Sequence, residues 1–187
     1  SQIGKLQSQL LDVAPEFPIT KRIAVIINGD TDESRHTGNV DRAIAALEAQ
    51  GFDTFYIVGD TTPSESHNVF NHSLEGINEM FTSLAGELQK DNLVFFYGTG
   101  HGDKESSMII GEQKYTKSNM ITHFEMIKDK GARGVFVFDT CYSGSIPRAI
   151  YEAGIEGVAL SPAPVGKTAS CQFFAPRFFD SLREGRD

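Results

Sequence analysis

The stretch LVFFYGTGHGDKESSMIIG (Leu93–Gly111) decides which fold this chain takes. An apolar run enters three glycines, Gly98, Gly100 and Gly102, set around His101, and a short polar insert follows. A phosphate-cradling loop must lead directly into a helix, whose first amides hold the anion. Here Asp103, Lys104 and Glu105 come next, and then SSMIIGEQKYTK (Ser106–Lys117), a hairpin pattern turning at Gly111 and Glu112. Helical periodicity resumes only near Ser118, so the phosphate loop lacks its partner. The glycines instead let the chain bend at the end of a strand, leaving His101 at its tip.

Working outward, the same alternation of apolar runs and helical spacing repeats. Strands are expected over Arg22–Gly29, Thr54–Gly59, Asn92–Gly98, Gly134–Asp139 and Glu156–Ser161. Between them, Val40, Ile44 and Leu47 have helical spacing, with Asn39 as N-cap and Gly51 as stop. Leu74, Ile77, Phe81, Leu84 and Leu88 line a second helix. Ser118 would cap a third, carrying Ile121, Phe124 and Ile127; a short helix starts near Pro147, and Phe173–Glu184 closes the chain. Strand–helix alternation with strands buried on both faces predicts an α/β fold, a three-layer αβα sandwich around a largely parallel sheet. One domain over 22–187 is expected, after an N-terminal helix and lead-in over 1–21. Chemistry in such sheets collects outside the carboxyl ends of the strands.

Composition narrows the function. The 187 residues suffice for a substantial core, and 40% of them are hydrophobic. Lys+Arg 17 against Asp+Glu 25 gives a net charge of −8, which argues against nucleic-acid and anionic-lipid partners. Apolar runs are strand-length, so no membrane segment is expected. Two cysteines, Cys141 and Cys171, are too few for a disulfide framework or a cysteine-rich zinc site, and a reducing, cytoplasmic setting is the default expectation. No cofactor and no metal site is expected, and oligomeric state is not legible.

The segment GVFVFDTCYSGS (Gly134–Ser145) carries the fourth strand straight into Asp139, Thr140 and Cys141, followed by turn formers. Pleating puts Val135, Val137, Asp139 and Cys141 on one side. Cys171 reads as an inert buried thiol. Cys141 differs, because a histidine closes the preceding apolar strand, making a nucleophile and base pair.

FYGTGHG (Phe96–Gly102) followed by FVFDTCYSGS (Phe136–Ser145) resembles the His-Gly and Cys signature of caspase-like cysteine peptidases, and the legumain group most closely. The separation, 141 − 101 = 40 residues, accommodates a hairpin, a helix and a strand. SRHTGNVDRAI (Ser34–Ile44) is similar to the Arg-His stretch of that group, and VALSPAPVGKTASC (Val158–Cys171) to its pocket-forming segment. Asp139 stands where legumains usually carry Glu, and the family's sixth strand is not seen before Asp187, so an excerpted or trimmed chain is expected.

The resemblance implies a cysteine endopeptidase acting on a protein or peptide substrate through a thioester. Cys141 is then the nucleophile, His101 the proton carrier, and the amides of Gly102 and Cys141 the oxyanion hole. Arg35, His36, Asp139 and Ser161 become substrate-binding residues, with Asn/Asp or Arg/Lys at P1. Transamidation through the same thioester, and a catalytically idle scaffold, remain as alternatives. Zymogen processing at Lys104, Lys167 or Arg177 is compatible with residue type; no acidic loop signature for calcium is present.

Overall fold

The computed structural model describes residues 18–169 and 171–185. Most of the expected N-terminal helix lies outside them. In chain order the elements are β1 (Lys21–Asn28), α1 (Ser34–Ala49), β2 (Thr54–Val58), β3 (His67–Phe70), α2 (Leu74–Glu87), β4 (Asn92–Thr99), β5 (Met108–Ile110), β6 (Gln113–Tyr115), α3 (Lys117–Asp129), β7 (Arg133–Asp139), α4 (Ile146–Glu152), β8 (Gly157–Leu160) and α5 (Cys171–Glu184). Six strands form one sheet in the order β3-β2-β1-β4-β7-β8, every pair parallel; β5 and β6 make a separate antiparallel hairpin. The three-layer α/β sandwich expected from the alternation is what the chain adopts.

Period-two pleating divides each central strand between two cores. Ile23, Val25 and Ile27 of β1, Val94 and Phe96 of β4, and Phe136 and Phe138 of β7 pack under α2, α3 and α4. Ala24, Ile26, Phe95, Tyr97, Val135 and Val137 face the other way, against Val40, Ala43 and Leu47 of α1 and Phe178, Phe179 and Leu182 of α5. Strands β1, β4 and β7 are thus apolar on both faces, which is why they read as unbroken runs.

Several boundaries differ from expectation. The first helix begins at Ser34, with Glu33 at the N-cap, so Asn39 is a buried interior residue. The third is capped by Thr116, whose hydroxyl accepts from the Asn119 amide, so Ser118 sits inside the first turn. Pro147 does open α4, and Gly111–Glu112 does turn the hairpin. A sixth strand exists at the edge formed by β3, which pairs with β2 after a crossover containing no helix. Among the described residues no helix is long and apolar enough to cross a membrane.

Following the chain, strands are added leftward from β1 to β3, and the order then reverses to β4, β7 and β8. The crevice of a parallel sheet opens at such a switch point, here between the carboxyl ends of β1 and β4. Asp30 and Glu33 follow β1, and His101 follows β4.

Candidate active site

Thr99 at the end of β4 pairs in register with Asp139 at the end of β7. His101 and Cys141 each lie two residues beyond that pair, so neighbouring strands deliver them to the same edge. The two loops touch through their backbones. A Cβ placed on Gly102 would lie 2.1 Å from the Cys141 carbonyl oxygen and 3.2 Å from its amide nitrogen. Only glycine permits that approach. Among the described residues, neither the Gly102 nor the Cys141 amide donates to another backbone carbonyl or to a side chain. Two donors remain available side by side.

Cross-links fix the loop that carries Cys141. Tyr142 takes a left-handed conformation (φ 59°), which costs a non-glycine residue free energy unless its surroundings impose it. Its amide donates to the Lys167 carbonyl at 2.9 Å, and its carbonyl accepts from the Ser106 hydroxyl at 2.7 Å. Ser143, fully buried, bonds the carbonyls of Phe138 and Thr140 and the Ser161 hydroxyl, the last at 2.7 Å. Ser161 also accepts from the Ala163 amide, so its hydroxyl is engaged in holding the Cys141 loop. The Cys141 thiol is half-buried, 4.0 Å from the Ala169 carbonyl.

His101 stands out from the surface, with its Nε2 3.3 Å from the Asp30 carboxylate and 3.9 Å from that of Glu33. Asp30 in turn accepts from the Asp32 and Glu33 amides. Burial alone would raise the Asp30 carboxyl; those amides, with His101 and His36, hold it below the usual carboxylate range instead. The imidazole is therefore gripped at Nε2 by an anion that stays charged, and Nδ1 is the nitrogen outside those pairs. Asp103, adjacent in sequence to His101, faces away from this role. It binds Lys114 at 2.7 Å and the Glu105 and Ser107 amides, stapling the loop to β6.

The expected pocket residues form a layer beneath. His36 is fully buried, with Nδ1 2.7 Å from the Thr99 hydroxyl and its ring edge-on to His101 at 5.8 Å. Burial, and then the Arg35 guanidinium, push its pKa down, which favours the neutral ring. Arg35 pairs with Glu33 and donates to His36 Nε2 at 3.2 Å. Asp139 is also fully buried and accepts from Tyr97 Oη at 3.2 Å and from Asn39 Nδ2 at 3.5 Å. Arg35 and Asp139 thus flank the site without meeting each other, Arg35 at the start of α1 and Asp139 below the thiol. A cleft of about 360 Å³ opens beside His101, lined by Asp30, Asp32, His72, Ile109 and Glu112.

Asp30 and Glu33 escape sequence reasoning, because DTDES (Asp30–Ser34) reads as a solvated acidic turn. The one available signal was position, directly after a buried strand. Compared with family models and with curated proteins, the chain matches none.

Proposed function

We propose that this chain is the catalytic domain of a cysteine endopeptidase, with Cys141 as nucleophile and His101 as proton carrier. The observation that carries the proposal is the backbone contact between Gly102 and Cys141, which places a thiol, an imidazole and two unspent amides at one sheet edge. The resemblance of the His-Gly and Asp-Thr-Cys segments to caspase-like peptidases supports the same assignment.

In the first half-reaction the Cys141 thiolate attacks the scissile carbonyl carbon, and a C–S bond forms. The oxygen becomes an anion, held by the Gly102 and Cys141 amides, donors aimed at charge present only in the transition state. The tetrahedral intermediate collapses, the C–N bond breaks, and the His101 imidazolium gives its proton to the departing amine. Water then attacks the thioester and loses a proton to His101. The C–S bond breaks, the carboxylic acid leaves, and the Cys141 thiolate and His101 imidazolium are regenerated. Throughout, the Asp30 carboxylate at Nε2 keeps the ring oriented.

For P1, the charges that flank the site on either side are Arg35 and Asp139, which favour asparagine or aspartate, with arginine or lysine as the second choice. Both side chains are already engaged, so a P1 residue would have to compete with Glu33 and Tyr97 for them.

A peptidyl electrophile that alkylates thiols, followed by peptide mapping, tests the assignment. The adduct is expected on Cys141 and lost in Cys141→Ala and His101→Ala, but kept in Cys171→Ala. Peptides varied at P1 alone should show cleavage confined to one of the two classes. A fully folded protein that neither takes the label nor cleaves any peptide would remove the proposal.

A further inference from the structure

Glu33, His36 and His101 each offer one ligand atom, and the three atoms lie within 4.8 Å of one another. We propose that they form a binding site for a divalent cation of the zinc type, and that a cation there and the catalytic use of His101 exclude each other. The cation-binding half stands on geometry alone; the exclusion half rests on the peptidase proposal above.

The spacing matches the ion. Zinc with nitrogen and oxygen ligands at about 2.0–2.1 Å in tetrahedral array requires ligand atoms about 3.3 Å apart. His36 Nε2 lies 3.2 Å from Glu33 Oε2, and His101 Nε2 lies 3.9 Å from Glu33 Oε1, so rotation of one exposed side chain closes the set. Asp30 Oδ2, 3.3 Å from His101 Nε2, is placed to join as a fourth ligand or to accept from a bound water. Two imidazoles with carboxylate oxygen suit zinc and its neighbours, not calcium or magnesium, which take oxygen donors.

The tautomer also fits. In the tautomer that carries its proton on Nδ1, towards Thr99, His36 Nε2 accepts from the Arg35 guanidinium, which can only donate. That leaves a lone pair on Nε2 and a hydrogen bond behind the ring, the arrangement in which histidine ligates metals. The position between Glu33 and His36 already holds a cation, the Arg35 head group, bonded to both. A metal ion would take its place. Sequence spacing gives no hint of this, since His101 follows His36 by 101 − 36 = 65 residues.

A metal at His101 Nε2 changes what the ring can do. The free imidazolium gives up its Nδ1 proton and becomes neutral. A ring metallated at Nε2 holds one proton, on Nδ1, and releasing it would leave an imidazolate. The leaving amine therefore loses its acid. The cation acts as a reversible off-state set by its free concentration.

Zn²⁺ binding to the full chain should be measured by competition with a chromogenic chelator, using Cys141→Ala protein so that neither thiolate ligation nor turnover contributes. Co²⁺ in the same protein should give the visible bands of tetrahedral coordination. One equivalent is expected. Glu33→Gln and His36→Gln should weaken it by at least about tenfold, Arg35→Gln should tighten it, and His72→Gln should leave it unchanged. Circular dichroism checks folding of the buried His36 variant, and Glu33→Gln, half-exposed, keeps the test decisive if that variant unfolds. With active protein, Zn²⁺ should suppress peptide cleavage and a chelator restore it. No binding at submillimolar Zn²⁺, binding untouched by Glu33→Gln, or binding lost in His72→Gln would each overturn the site. Binding without suppression of cleavage would overturn the exclusion alone and leave both the site and the peptidase proposal standing.

Discussion

At Gly102 the whole proposed chemistry depends on one missing methyl group. Gly102→Ala would drive a Cβ into the Cys141 carbonyl at 2.1 Å, and backbone is the neighbour that must yield. The loops would separate and both oxyanion donors shift. We expect kcat/KM to fall at least about a hundredfold, the range for loss of one oxyanion donor, while the melting temperature moves little, since the change lies at a loop surface. A second substitution separates orientation from binding. Asp30→Asn keeps size and removes the charge at His101 Nε2, and should lower kcat by about tenfold or more with KM nearly unchanged; steady-state kinetics decide. His101 and Cys141 were legible because each closes an apolar strand, where a polar residue is conspicuous. Asp30 was not, because its partner lies 101 − 30 = 71 residues away and no local pattern couples them.

Among the elements, α3 carries a group whose titration is felt by the fold. His123 is buried, stacked on Phe81 of α2 at 4.4 Å and bonded through Nδ1 to Tyr115 Oη of β6 at 2.9 Å. Burial pushes its pKa down from 6.5 to about 4. Between those two values the unfolded chain binds the proton and the folded chain does not, so stability rises with pH across that window. As pH falls from 6.5 to 4 the folded state should lose up to about 3 kcal/mol from this group, with no further loss below. Urea midpoints at pH 7, 5.5 and 4 should show the decline, and His123→Gln should flatten it. Long periodic elements such as α2, and the double-sided strands, were plain in the sequence. The edge strand β3 was not: HNVF has two polar residues, lies half in solvent and gains its order only by pairing with β2. The helix caps also misled, because Asn39 and Ser118 are good capping types placed where tertiary packing had already extended the helix.

The whole molecule places its candidate site residues by topology. Reversal of strand order between β1 and β4 gathers Asp30, Glu33, His36 and His101 at one crevice, and the next strand adds Cys141. Fold class, and the placing of His101 and Cys141 at neighbouring strand ends, could be read from sequence because alternation and strand ends are local signals; the carboxylate and imidazole cluster arises only when distant strands pair. The same topology bears on biosynthesis. Strand β1 is translated first yet becomes interior, and its partner β4 follows 92 − 21 = 71 residues later. At about 5–20 residues per second the wait is about 4–14 s. During it, the sticky segment IAVII (Ile23–Ile27) has only β2 beside it. Ribosome-stalled chains ending before Asn92 should be protease-sensitive and should recruit holdase chaperones, whereas chains stalled well past β7 should resist digestion. A peptide of that kind begins life needing an escort, and only the emergence of its later half sets it free.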